Sequence, residues 1–271
     1  MASNANIDYS DEAEIKQLEE LGKEIIGLKI DKVVRSGSMA NIVGIQADHI
    51  SFSQRLDSLT YIVRDDRYGP GKVDGIFEGS KREHLELGLM ILDKIGIPSS
   101  EILDQKLLQE MTQVAEIEKE TKKIRIEEAQ NGRGLAIISR QIDNFPVWPS
   151  NFILGITKEK QVGYMQLHWP EIPKLIVRET HRLEYKLQHG WSPPKLERAS
   201  VESVEAGIIH SPAISFFMDI YPVIRVIYAP DKGCGVKPML YLDRDGNRVP
   251  SPRQIDLKHE ETVRRKTEYK K

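Results

Sequence analysis

The chain has a single cysteine, Cys234, among 271 residues. One thiol excludes an intrachain disulfide, a four-cysteine zinc site and a cysteine-held iron–sulfur cluster. It does not settle the compartment, because secreted proteins without disulfides exist alongside reduced cytosolic ones. Also missing is any apolar run long enough to cross a bilayer as a helix. The opening MASNANIDYSDEAEIKQ is polar and acidic and is not a signal peptide. The localisation reading is therefore conditional: secreted or cell envelope if a signal peptide was removed, cytoplasmic otherwise. Charge of one sign is lacking too. Lys and Arg total 39 and Asp and Glu 41, a formal net charge of −2, which argues against a surface built to hold nucleic acid.

The apolar fraction of 39% and charged fraction of 30% are ordinary for a globular protein. Ile15, Leu18, Leu21, Ile25 and Ile26 follow helical spacing behind Ser10 or Asp11, and Gly27 ends that helix. LKIDKVV, NIVGI, HISFSQ and LTYIVRD then read as strands. Ser80 to Glu83 is a capping box opening a second helix, SKREHLELGLMILDKIGI, with a stripe of Leu85, Leu89, Leu92 and Ile95. A third helix is expected near Ser99 and a fourth across Met111–Glu128, with Asn131-Gly132-Arg133-Gly134 as a break. Strands Ala136–Ile142, Phe152–Thr157 and Val162–Trp169 follow, with Phe145-Pro146-Val147-Trp148-Pro149 as a connection. A helix is expected from Pro173 to Gln188, then strands Ser203–Ile209, Val223–Tyr228 and Pro238–Leu242, a short apolar piece near Ile214–Met218, and a turn at Asp245-Gly246.

These elements predict an α+β fold: antiparallel sheets with amphipathic helices packed on one face. The expected divisions are an N-terminal helix at 1–27, a first α+β unit at 28–128, a second at 129–250 and a charged tail at 251–271. That tail mixes Lys258, Arg264, Arg265, Lys266, Lys270 and Lys271 with Glu260, Glu261 and Glu268, and reads as a solvated end.

The run SRQIDNFPVWPSNFILGITKEKQVGYMQLHWPEIP resembles the pattern of the PepSY and thermolysin-propeptide (FTP) superfamily. The shared features are an arginine-bearing strand, an Ile-Asp turn, a Pro-Val step and a hairpin ending in tryptophan. Tyr241-Leu242-Asp243-Arg244-Asp245-Gly246-Asn247 resembles the closing strand and turn of such modules, and EGSKREHLELGLMILDKIGIP their opening helix. The resemblance implies two PepSY-like units and a non-catalytic role on a protein partner, a peptidase being the implied class. No cofactor, no nucleic-acid partner and no membrane insertion are expected.

Phe145, Trp148, Tyr164 and Trp169 form the expected binding surface, although aromatics at strand ends also close cores. The rival reading is a metal-dependent hydrolase with His168, His181, Glu184 and His210 as N/O ligands. Against it, Arg178 and Arg182 flank His181 and Glu184, as ordinary ion pairing on a helix would require, and no His-Glu-x-x-His motif exists. A third reading is a structural component of a cell surface, spore or particle. Remaining motifs read as structure. His84 reads as a residue on the helix surface. Cys234, between two glycines, reads as a small residue in a tight loop. Ser36-Gly37-Ser38-Met39 matches a serine–lysine signal peptidase motif but lacks its following proline. Gly69-Pro70-Gly71-Lys72 lacks the spacing of a phosphate loop.

Overall fold

A computed structural model describes residues 10–27, 32–35, 42–47, 49–55, 59–66, 81–112, 115–117, 124–126, 130–157, 160–210, 219–231 and 237–251. Three α-helices and thirteen strands are placed among them, so the chain is dominated by sheet. The chain divides into two units. Unit 1 holds residues 1–99, 105–138 and 152–168, and unit 2 holds 100–104, 139–151 and 169–271.

Unit 1 begins with α1 (Ser10–Ile26), which packs through Leu18 near β2 and β3. The strands β1 (Lys32–Arg35), β2 (Ile42–Ala47), β3 (Ile50–Arg55) and β4 (Thr60–Asp65) form an antiparallel meander. Strand β10 (Val162–His168) pairs antiparallel with β4, Met165 opposite Val63 and Leu167 opposite Tyr61. The period of two puts Phe52, Tyr61, Val63, Met165 and Leu167 in the core. Helix α2 (Lys81–Ile95) adds Ile91 and Leu92. At Gly88 the helix comes so close that a β-carbon would stand 3.2 Å from Ile138 Cδ1 and 3.4 Å from Phe152.

Unit 2 is built on a mixed sheet. Strand β9 (Phe145–Ile156) runs parallel to β11 (Ala199–His210), with Ile208 beside Val147 and Ile209 beside Trp148. Strand β12 (Ile220–Pro230) returns antiparallel along β11, and β13 (Met239–Leu242) closes the order. Alternation gives each strand two faces. One face carries Phe145, Ala206, Ile224, Val226, Tyr228 and Leu242, packed against Leu183 of α3 (Lys174–Gln188). The other carries Ile209 and Val223, with Trp148, Tyr221, Tyr241 and Val249 packed on them.

The mixed, sheet-dominated architecture overturns the expected pair of PepSY-like units with purely antiparallel sheets. Four local departures accompany it. The stretch expected to begin a third helix makes a single 3-10 turn at Ser99–Glu101 and enters β5 (Ile102–Thr112). The expected fourth helix is replaced by the end of β5 and by the pair β6 (Ala115–Ile117) and β7 (Ile124–Ile126). The Asn131–Gly134 break lies inside β8 (Gln130–Ile142), and the Phe145–Pro149 connection lies inside β9. The turn between β8 and β9 is instead Asp143-Asn144. Both residues have positive φ, 49° and 67°, as a two-residue hairpin turn of the primed type requires. Neither residue is glycine, so the sequence carries only a weak signal for it.

Ser36–Met39, the Gly69–Lys72 loop, Ser80, Ile214–Met218, Cys234 and the tail from Pro252 lie outside the described residues.

Candidate binding site

Helix α3 starts at Lys174 behind Pro173, whose extended ψ of 137° and fixed φ set the chain's entry. It ends where His189 N–H donates to Lys186 O and Gly190 takes a φ of 95°. Leu183 and Thr180 face the sheet, and Thr180 Oγ1 donates to Ile176 O at 2.8 Å.

Beyond β13 the chain makes a tight turn on one carboxylate. Asp243 Oδ1 accepts the amides of Asp245 at 2.8 Å and Asn247 at 2.9 Å, and Oδ2 accepts Asn247 Nδ2 at 3.1 Å. Gly246 supplies the left-handed conformation at φ 85°. Partial burial pushes the Asp243 carboxyl upward, but these hydrogen bonds outweigh it and hold the group below its ordinary value. After the turn, Val249 N–H donates to Tyr241 O at 2.8 Å, which lays Val249 back over the sheet.

The helix and the turn enclose a cleft of about 430 Å³. Its apolar floor takes Leu183 and Pro222 from the α3 side of the sheet and Tyr221 and Val249 from the side that carries Trp148. Glu179, Arg182, Lys186, Asp243, Arg244 and Asp245 rim it with both charge signs. Lys186 Nζ donates to Arg244 O, joining the helix to the turn. Arg182 pairs with Glu179 at 2.6 Å. An apolar floor with a few convergent polar groups is the ordinary form of a ligand site. Another concavity, lined by Met239, Tyr241, Arg248, Pro250 and Ser251, borders residues outside the described set.

On the sheet face that also carries Tyr221 and Val249, Trp148 lies on β11 where Gly207 has no side chain. The Arg225 guanidinium sits 3.9 Å from the indole centroid. Arg225 Nε donates to Glu205 Oε1 at 2.9 Å, and Tyr241 meets Trp148 at 6.0 Å between ring centroids. Burial raises the Tyr241 hydroxyl pKa, and the nearby Arg225 pulls it back in part. The cluster is a packed charge–aromatic stack.

The four expected surface aromatics separate. Phe145 is buried beneath α3, edge-on to the His181 ring at 4.7 Å. Trp169 is buried, and its Nε1 donates to Glu101 Oε2 at 2.8 Å. Burial removes both from any exposed surface. Tyr164 is half-buried on β10, donating to Gln166 Oε1 at 2.7 Å, and Trp148 is half-buried in the stack just described.

The four proposed metal ligands are not drawn into one cluster. His168 belongs to unit 1, where it is buried and hydrogen-bonded to Thr60 Oγ1 at 2.7 Å. His181 is exposed on α3 with Nε2 3.4 Å from Asp143 Oδ2. Glu184 is exposed on α3, and His210 is buried at the end of β11. No group of three or more His, Cys, Asp or Glu able to hold a metal occurs among the described residues.

Two buried polar centres escaped the sequence reading. Arg140 is buried, with Nε donating to Glu101 Oε2 at 2.9 Å and one terminal nitrogen donating to Pro170 O at 2.6 Å. Its guanidinium also lies 5.1 Å from the Trp169 centroid. Burial lowers its pKa, and Glu101 opposes that shift. In unit 1, His84 is buried instead of lying on the α2 surface. Its Nε2 donates to Leu154 O at 3.2 Å, since a carbonyl can only accept. Desolvation lowers its pKa, opposed in part by that hydrogen bond.

No family model matches the chain, and no curated protein matches it. Among solved structures, an uncharacterized protein from Eubacterium rectale aligns with a TM-score of 0.47 and 13% identity. The alignment covers 89% of this chain and 82% of that one. Among the described residues no helix is long and apolar enough to cross a membrane.

Proposed function

We propose that this chain is a binding protein acting without catalysis, and that it holds a segment of a protein partner in the α3 cleft. One observation carries the reading: the cleft combines an apolar floor of Leu183, Tyr221, Pro222 and Val249 with a rim of both charge signs. Such a floor suits one or two anchoring side chains, and the rim suits the backbone and polar groups around them. A volume near 430 Å³ is of side-chain scale, so the partner engages as an extended segment with most of its length outside.

Selection of displayed random peptides against the native protein tests this. Peptides with an apolar anchor are expected to enrich. Their affinity should fall about tenfold, roughly 1.4 kcal/mol, on Val249→Asp, which puts a charge on the floor. Asp245→Trp, exposed on the rim, should obstruct entry without disturbing the core. Met90→Asp, in unit 1, should bind as the native protein does. No enrichment, or equal binding by both cleft variants and the native protein, overturns the reading.

A further inference from the structure

The outward face of α3 bears a pattern that its packing does not require. Lys174, Arg178, Arg182 and Lys186 recur every fourth residue, so at about 100° per residue they form one slowly turning ridge. Arg182 and Lys186 line the cleft. The ridge therefore runs out of the cleft toward the start of the helix, over about 18 Å at 1.5 Å per residue. Leu175 and Tyr185 stand on the same face, 55% and 63% exposed. Placed on a helical wheel, the arc from His181 through Lys174, Arg178 and Arg182 to Leu175 is roughly 120° wide. Helix α3 contributes no carboxylate to it, since Glu184 falls well outside it and Glu179 at its border toward the cleft, and Asp143 of the β8–β9 turn stands at its His181 edge, away from Arg178 and Arg182 on the wheel.

Helix stability does not account for this face. The first turn of α3 has no acidic residue, and Lys174 and Arg178 near the start oppose the helix dipole. Neither makes an ion pair among the described residues. Among the described residues Arg182 pairs with Glu179 alone, one helical turn away, a solvent-screened contact easily exchanged for a ligand carboxylate.

We infer that the segment held in the cleft is acidic and lies along α3, its carboxylates on the Lys174–Arg178–Arg182 ridge and its apolar side chains against Leu175, Tyr185 and the cleft floor. The inference rests on the cleft reading and gives the partner a chemistry. An extended segment of about five or six residues matches the ridge length. Peptide carboxylates fit better than nucleic-acid phosphates here. The exposed apolar side chains between the cations have no use against a phosphate backbone, and the whole chain carries a net charge of −2.

The test sequences the peptides selected by the native protein and by the double variant Lys174→Glu, Arg178→Glu. Both positions are exposed, and acidic residues there suit the helix dipole, so the variant should fold at least as well as the native chain. The expected result is an Asp- and Glu-rich pool for the native protein. Its peptides should bind about tenfold more weakly to the double variant and weaken as salt is raised. A pool with an apolar anchor but no acidic excess, bound equally by native protein and double variant, overturns this inference and leaves the cleft reading standing. No enriched pool overturns both. If a labelled single-stranded oligonucleotide or a phosphatidylserine vesicle binds through Lys174 and Arg178 while acidic peptides do not, the acidic-segment assignment is wrong.

Discussion

Gly207 on β11 lies directly beneath the indole of Trp148: a β-carbon at that position would stand 2.5 Å from both Cη2 and Cζ3 of the ring and 2.8 Å from Pro146 O. The absent side chain is what lets the Trp148 ring of β9 lie over its parallel neighbour β11 here, with the Arg225 guanidinium against it.

Gly207→Ala is therefore expected to destabilise unit 2 by about 2 kcal/mol, the scale of an overpacked core. Urea unfolding followed by tryptophan fluorescence measures it. Much of the penalty should vanish in a Trp148→Ala background, where only the Pro146 carbonyl remains in the way. An equal penalty in both backgrounds would show that the ring is not what Gly207 accommodates.

Glu101 is the acceptor for both Arg140 Nε and Trp169 Nε1. Glu101→Ala leaves a buried guanidinium with Pro170 O and the Trp169 ring as its remaining contacts, and an indole N–H without its acceptor. The expected loss is about 3 kcal/mol. Arg140→Met together with Glu101→Ala should lose less than Glu101→Ala alone, because no charge is then left buried. Denaturant titration of the three variants checks the ordering.

His84 ties unit 1 to pH. Its folded-state pKa lies below the ordinary value of 6.5, so the unfolded chain takes up the proton first as the solution is acidified. Between the two pKa values the unfolded state binds more protons, and stability rises with pH. The neutral, buried imidazole contributes fully above about 6.5 and is progressively lost as the pH falls from there toward the lower folded value. Thermal melts across that window should show a steeper acid-side decline for the native protein than for His84→Gln, whose amide N–H can still donate to Leu154 O. Superimposable slopes would contradict the assignment.

Leu183 belongs both to the core beneath α3 and to the cleft floor. Leu183→Ala should cost about 3 kcal/mol of stability and also weaken peptide binding at temperatures where the variant remains folded. Calorimetry on the folded variant separates the two effects. Native affinity there would place the peptide elsewhere.

Periodicity alone located α1, α2 and α3 to within about two residues, because each helix has one apolar and one polar side, and alternation or enrichment in β-branched residues located β1 to β4. It failed where that contrast is weak. Residues 102–112 carry Asp104, Gln105, Lys106 and Gln109 among leucines, a composition that suits an exposed helix and an exposed strand alike. Pro146 and Pro149 suggest a loop, yet both lie within β9. His84 was misjudged because a helical wheel on the leucines centres the stripe on Leu85 and Leu89, whereas close approach at Gly88 turns the buried face to His84, Gly88, Ile91 and Leu92. The cleft was not legible at all. Its floor joins α3, the start of β12 and the chain after β13, segments far apart in sequence. The basic repeat along α3 was not singled out either: Arg178 and Arg182 read as ordinary ion-pair partners, whereas among the described residues Arg182 pairs with Glu179 and Arg178 makes no ion pair.

The most direct test of the cleft reading is a hydrogen–deuterium exchange footprint of the native protein with a selected peptide bound. Slowed amide exchange is expected in α3, Lys174–Gln188, and in the turn at residues 243–249, with unit 1 unchanged. Protection confined to unit 1, or to the Trp148 face of unit 2 with α3 exchanging as in the free protein, would contradict it.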